Sequence, residues 1–93
     1  MKLKITVNSH ARDSDYGGEQ IINIKEGEFL LDEIFRLHFF RVIIDLIVDG
    51  NVCFRLMEGS QAHYFILNKS ESQAFYERET SIGYDSFSFK LLN

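Results

Sequence analysis

Several features that mark common classes of protein are missing from this chain of 93 residues. Cys53 is its only cysteine, so no disulfide can form within it, and a reducing cytoplasm is the simplest compartment. The first residues pass directly into an alternating strand pattern, which predicts no signal peptide. The apolar run near Val42 is too short for a membrane span and is interrupted by Arg41, Asp45 and Asp49. We therefore expect a cytoplasmic protein that does not enter a membrane.

Basic residues are also scarce. Fourteen acidic residues stand against ten basic ones, which gives a net charge of −4. Without a cluster of Lys and Arg, such a chain repels a phosphate backbone, so direct nucleic-acid binding is disfavoured. The acidic excess lies between Glu26 and Gly50, with six acidic and two basic residues. A partner protein with a basic surface would complement this segment, although acids at the start of a helix explain it more simply.

Motifs for catalysis and for nucleotide or metal binding are absent as well. The three histidines lie 28 and 25 residues apart, without the short spacings of zinc sites. Cys53 and His63 fall on neighbouring predicted strands, but nothing marks the orienting acid or oxyanion hole that Cys-His catalysis needs. Cys53 is therefore expected to be a small buried hydrophobic residue. We predict no cofactor and no enzymatic activity.

The segment Asp13–Glu19 is the best candidate for a small-ligand or metal site. Asp13, Asp15 and Gly18 match the first, third and sixth places of a calcium loop, in which alternate carboxylates converge and glycine lets the chain turn. Lys25 stands where the closing bidentate glutamate should be, and no helix flanks the segment. A polar hairpin loop is the simpler interpretation, and a ligand-binding or metal-binding domain built on this loop is the alternative function.

Strict apolar alternation predicts most of the strands. In the strand from Arg41 to Val48, the alternation places Val42, Ile44, Leu46 and Val48 on one face. Asp49-Gly50 and Gly59-Ser60 then predict turns between strands, because glycine and aspartate tolerate positive φ. A turn at Gly50-Asn51 instead would shift the register by one residue and exchange the faces. The other predicted strands are 2–8, 20–25, 51–58, 61–68 and 86–91.

One helix is predicted, from Glu28 to His38, because Leu30, Ile34 and Leu37 recur at helical spacing. The expected fold is α+β: a single domain over residues 1–93, in which the helix packs on a mainly antiparallel sheet of five to six strands in the order β-β-α-β-β-β-β. In its first half this order resembles the β-grasp arrangement of ubiquitin-like proteins, in which a hairpin precedes a helix that crosses the sheet. Residues 69–80 predict either a short helix or an irregular edge segment.

The expected function is that of a small acidic, non-enzymatic protein-interaction module. An inhibitor, adaptor or immunity-type protein of phage or bacterial type, such as an anti-CRISPR-like inhibitor, has this size and charge. Glu28, Asp32 and Glu33 would steer the larger partner, while Tyr76 and Tyr84 would anchor it through their stiff rings. The two tyrosines would equally well cover an open sheet edge, and a homodimer formed through such an edge is a further alternative.

Overall fold

The described residues of a computed structural model, 1–11, 14–25 and 32–92, form eight strands and no helix. The strands are β1 (Lys2–Ala11), β2 (Ser14–Asn23), β3 (Asp32–Leu37), β4 (Phe40–Val48), β5 (Asn51–Glu58), β6 (Gln61–Leu67), β7 (Gln73–Thr80) and β8 (Gly83–Leu92). Sheet A has the order β2-β1-β8-β7 and sheet B the order β3-β4-β5-β6, and every pairing is antiparallel. No helix within these ranges is long and apolar enough to cross a lipid bilayer.

The core lies between the two sheets, because each strand turns its apolar set of alternating residues inward. Stacked and tilted aromatic rings join the layers. The ring centroids of Phe40 and Phe87 are 4.8 Å apart, and those of Phe54 and Phe89 are also 4.8 Å apart. Phe87 and Phe89, the two rings that β8 contributes, are both fully buried, as expected for alternate residues of the predicted strand 86–91. The two sheets therefore share one hydrophobic cluster.

The predicted tight turns are confirmed. Asp49 and Gly50 have φ values of 51° and 77°, and they join β4 to β5 with Val48 opposite Asn51. Gly59 has a φ of 59° in the turn between β5 and β6. Asp and Gly tolerate this left-handed region, which explains why these turns could be located from residue type alone.

The α+β class is wrong, because the chain folds as an all-β protein in its described part. Residues 28–31 of the predicted helix lie outside that part, and the rest of it, up to Leu37, forms β3. A β-bulge between Glu33 and Phe35 is the reason. The extra residue breaks the two-residue alternation, so Ile34, Phe35 and Leu37 acquire the irregular apolar spacing that imitates a helical stripe. The likeness to the β-grasp order disappears with the helix.

Three further assignments change. Residues 14–19, which the sequence predicts as a loop, belong to β2. Most of residues 69–80, for which the sequence allows either a short helix or an irregular edge segment, forms β7. In β4, a bulge between Ile44 and Leu46 exchanges the two faces after Ile44. As a result Ile47, and not Leu46 or Val48, joins Val42 and Ile44 on the buried face, which corrects the predicted assignment of faces.

Candidate functional site

The interior changes from apolar to polar at one end. The inward positions of β1 run Leu3, Ile5, Val7 and then Ser9, and those of β8 run from Leu91 to Phe87 and then Asp85. Polar side chains also point inward at this end of three other strands: Glu58 on β5 and His63 on β6 of sheet B, and Arg78 on β7 of sheet A. We call these five residues, Ser9, Glu58, His63, Arg78 and Asp85, the polar end. Polar groups at inward positions lose hydration, so their partners decide whether they are tolerated.

An ion pair between Glu58 and Arg78 bridges the two sheets at the polar end. Nη1 of Arg78 donates to Oε1 of Glu58 at 2.5 Å, and the hydroxyl of Tyr76 donates to the same oxygen at 3.3 Å. The guanidinium also lies over the ring of Phe39, 5.1 Å from its centroid. His63 Nε2 is 3.6 Å from Oε2 of Glu58, too far for a hydrogen bond, and this buried nitrogen has no hydrogen-bond partner in the described part of the chain.

Burial and the neighbouring polar groups have opposite effects on the pKa of the Glu58 carboxyl. Burial by itself raises the pKa of Glu58, because its side chain is only 14% exposed, but the hydrogen bond and positive charge of Arg78 outweigh it. The pKa of Glu58 is therefore lowered from its ordinary value of 4.5. Burial, followed by the negative charge of Glu58, raises the pKa of Tyr76. The cluster thus holds a charged carboxylate and a neutral phenol at neutral pH.

A cleft of about 300 Å³ opens beside the polar end, and we call it the end cavity. Buried Ser9 donates to Oδ1 of Asp85 at 2.5 Å on its floor. Its walls combine these two polar groups with aromatic and aliphatic surface. The lining residues are Ser9, His10, His38, Phe39, Phe40, Arg78, Thr80, Ile82, Gly83 and Asp85.

A second candidate surface is the outer face of sheet B. Tyr64 and Ile66 point to solvent from β6 and are 73% and 59% exposed. Tyr64 lies opposite Arg55, and Ile66 opposite Cys53, so the apolar surface continues across β5 and β4. We call this surface the outer patch, made of Ile43, Leu46, Cys53, Met57, Tyr64 and Ile66.

Arginine dominates the charge on this outer face. Arg55 bonds Asp45 within the patch, with Nε 2.9 Å from Oδ1. Arg36 forms a double hydrogen bond with Glu33 on β3, at 2.8 and 3.2 Å, and this contact lowers the pKa of Glu33. Arg41 forms no ion pair with a described residue, so one positive charge remains unmatched next to Met57.

The residues predicted to bind a partner do not form one surface. Glu28 lies outside the described ranges, and only the backbone of Asp32, in β3, is described. Glu33 is exposed on sheet B, where Arg36 neutralises it. Tyr76 points into the core and Tyr84 lies on the opposite, outer face of sheet A. Glu33 therefore no longer supports the prediction of a partner with a basic surface. For Glu28 and Asp32 that prediction remains a prediction.

The alternative sites predicted from sequence are also dispersed. Asp13 is outside the described residues, and Asp15 to Glu19 pair with β1 as part of a strand instead of closing a loop. Cys53 faces outward while His63 faces inward, so they do not form a pair. No group of three or more His, Cys, Asp or Glu side chains within the described ranges is placed to hold a metal ion.

The outer patch was missed by reasoning from sequence, although a signal for it exists. The strand Gln61–Leu67 carries apolar residues on both faces: Phe65 and Leu67 point to one side, and Tyr64 and Ile66 to the other. A strand that is apolar on both sides indicates either a second layer or an interface. No further layer of described residues covers this face.

Comparison with known proteins adds no relative. No family model, curated protein or solved structure matches the chain. Its function must therefore be argued from the surfaces described above.

Proposed function

We propose that this chain is a non-enzymatic protein-binding module that engages its partner through the outer patch of sheet B. The observation that carries the proposal is the pair Tyr64 and Ile66, which stand side by side, well exposed, at the edge of an apolar surface that contains one ion pair, Arg55–Asp45. Adjoining exposed apolar side chains are costly in water and mark interaction sites. Tyr, Met and Arg are also the residue types enriched at protein interfaces, and all three are present here.

The partner we propose presents an apolar protrusion flanked by carboxylates. Three arginines and only two described carboxylates, Glu33 and Asp45, occupy this face, and Arg41 is the unmatched charge. Like charge across an interface is unfavourable, so an acidic surface complements the patch better than a basic one. The net charge of −4 for the whole chain would meanwhile disfavour docking of such a partner elsewhere.

An inhibitor or adaptor role in the cytoplasm belongs with this proposal. The single cysteine suits a reducing compartment. Binding through one sheet face suits a protein that inhibits or bridges a larger one.

Site-specific photocrosslinking in the cell of origin tests the proposal. A photoreactive phenylalanine analogue replaces Tyr64 in one variant and Phe75, which is 65% exposed on sheet A, in the matched control. We expect one partner protein to crosslink at position 64 and not at position 75. The captured partner is then purified, and its affinity for the Tyr64→Ser and Ile66→Ser variants is measured by calorimetry.

Each serine substitution should weaken that affinity by about 10- to 100-fold, as expected for losing an apolar contact worth about 1.5–3 kcal/mol. Arg41→Ala should weaken it less and reduce its dependence on salt. Unchanged affinity of the folded Tyr64→Ser and Ile66→Ser variants would overturn the proposal. Crosslinks only between copies of the chain would overturn it as well and make the patch a homodimer interface.

A further inference from the structure

Arg78 and Asp85 face each other across β7 and β8 but do not pair. They are register partners on the inward face, where opposite charges normally join. Arg78 instead bonds Glu58 of the other sheet and lies over Phe39. Asp85 is left with a single hydrogen bond among the described residues, from the hydroxyl of Ser9.

Arg78 and Asp85 both line the end cavity, but the charge of Arg78 is taken up by Glu58, which is not part of the lining. Glu58 and Arg78 balance each other at 2.5 Å, and the charge of Asp85 has no cation matched to it in the described part of the chain. Ser9 is buried, and its hydroxyl donates to Oδ1 of Asp85, whereas Oδ2 accepts no side-chain hydrogen bond from a described residue. A carboxylate fixed by a buried hydroxyl at the floor of a cleft is a ready acceptor for a cationic donor.

Part of the wall around this carboxylate is apolar. Phe39 and Phe40 stack with centroids 4.5 Å apart, and exposed Ile82 lies on another side of the cleft. At about 300 Å³ the cavity is at the lower end of the range of roughly 300–1,000 Å³ for ligand pockets. A ligand with one ring or a short alkyl body fits this volume, whereas a nucleotide or a peptide does not.

We propose that the end cavity binds a small primary ammonium compound, whose charged nitrogen bonds Asp85 and whose apolar body packs against Phe40 and Ile82. The guanidinium of Arg78 also lines the cavity, and its ion pair with Glu58 reduces its repulsion of an ammonium group bound at Asp85. Free amines and α-amino acids both carry the required ammonium group. This site is separate from the outer patch and does not depend on the protein-binding proposal.

The experiment follows backbone amide shifts by two-dimensional NMR while phenethylamine is added. 3-Phenylpropionate, with the same ring and a carboxylate in place of the amine, is the control probe. We expect phenethylamine to shift the amides of Ser9, Gly83 and Asp85 in a saturable way, and the carboxylate to leave them unchanged. L-Phenylalanine forms a third arm: tighter binding than phenethylamine assigns the site to amino acids, and weaker binding assigns it to simple amines.

Two variants make the result specific. Asp85→Asn keeps the shape of the side chain and should weaken phenethylamine binding at least 10-fold. Glu77→Gln removes the same charge from the exposed outer face of β7 and should leave binding unchanged. Equal binding of wild type and folded Asp85→Asn, or equal shifts with 3-phenylpropionate, would overturn the proposal. So would the absence of saturable shifts with phenethylamine in the wild-type protein.

Discussion

The two sheets have similar inner faces and very different outer faces. Inside, both contribute buried Phe, Leu, Ile and Val side chains to one cluster. Outside, the centre of sheet A carries Thr6, Asn8, Ser86 and Ser88, as expected for a surface in water. The centre of sheet B carries Ile43, Cys53 and Met57 at the corresponding positions, with Tyr64 and Ile66 at its edge.

The difference between the two outer faces shows that the fold does not require apolar residues there. A sandwich requires only one apolar face per sheet, and sheet A meets that requirement with a polar outer face. Sheet A does expose Ile21 and Phe75, but they lie on its opposite edge strands, β2 and β7, and do not adjoin. The apolar outer face of sheet B is therefore surplus to folding, which is why we assign it to binding.

The largest expected effect tests the similarity of the inner faces. Phe54→Ala in sheet B and Phe89→Ala in sheet A should each lower the free energy of unfolding by about 3–5 kcal/mol, because each removes a buried ring from the same contact. Urea denaturation followed by circular dichroism measures both. Phe75→Ala, an exposed ring on the outer face of sheet A, should cost less than about 0.5 kcal/mol. An equal cost for Phe75→Ala would mean that this outer face is also packed.

The next effect concerns the contact that joins the sheets at the polar end. Arg78→Met leaves the carboxylate of Glu58 without its cation and should lower the free energy of unfolding by about 2–3 kcal/mol, somewhat below the cost for a fully buried pair because Arg78 is partly exposed. The double variant Glu58→Gln/Arg78→Met removes both charges and should regain a large part of that loss. Additive losses in the double variant would show that the two side chains act independently.

Stability should also depend on pH through Glu58. Its pKa in the folded chain is below the ordinary value of 4.5, so the unfolded chain takes up a proton first as the pH falls. The stabilisation is complete above pH 4.5 and is lost as the pH falls through the lower folded value. Thermal melting between neutral pH and pH 3 measures this loss. Glu58→Gln should lose less stability than wild type over that range, and an identical decrease in both would contradict the assignment.

The smallest expected effect on stability lies on the outer patch. Tyr64→Ser and Ile66→Ser should change the free energy of unfolding by less than about 0.5 kcal/mol each, because these side chains are mostly in water in the free protein. They should nevertheless reduce binding of a hydrophobic fluorescent dye, while Phe75→Ser should reduce it little. A loss above about 2 kcal/mol would place Tyr64 or Ile66 in a packed layer and remove the contrast between the two outer faces.

Sequence predicted the local features of this fold well. The turns at Asp49-Gly50 and Gly59 depend on residues that tolerate positive φ, and this property can be recognised without a structure. The alternation of Leu3, Ile5 and Val7 likewise specifies a half-buried strand. Such features are encoded within a few residues, so no distant contact had to be known.

The failures have a common physical origin in irregular or distant pairing. The bulge at Glu33/Phe35 converts an alternating pattern into one of helical appearance, and nothing in the segment itself reveals it. The polar end depends on register between strands far apart in the chain, since Glu58 meets Arg78 only when both sheets are assembled. Tyr64 and Ile66 could have been identified from the double-sided apolar pattern of their strand.

The pairing of β1 with β8 has a consequence for synthesis of the chain. Lys2 lies opposite Leu92 in this ladder, whereas each strand of sheet B pairs only with its neighbours in sequence. Sheet B can therefore form as it emerges from the ribosome, while β1 and β2 must wait for the last strand before sheet A is complete. Until then, Leu3, Ile5 and Val7 have no aromatic neighbours from β8 to cover them. This interval is when the nascent chain is most exposed to aggregation and to chaperones.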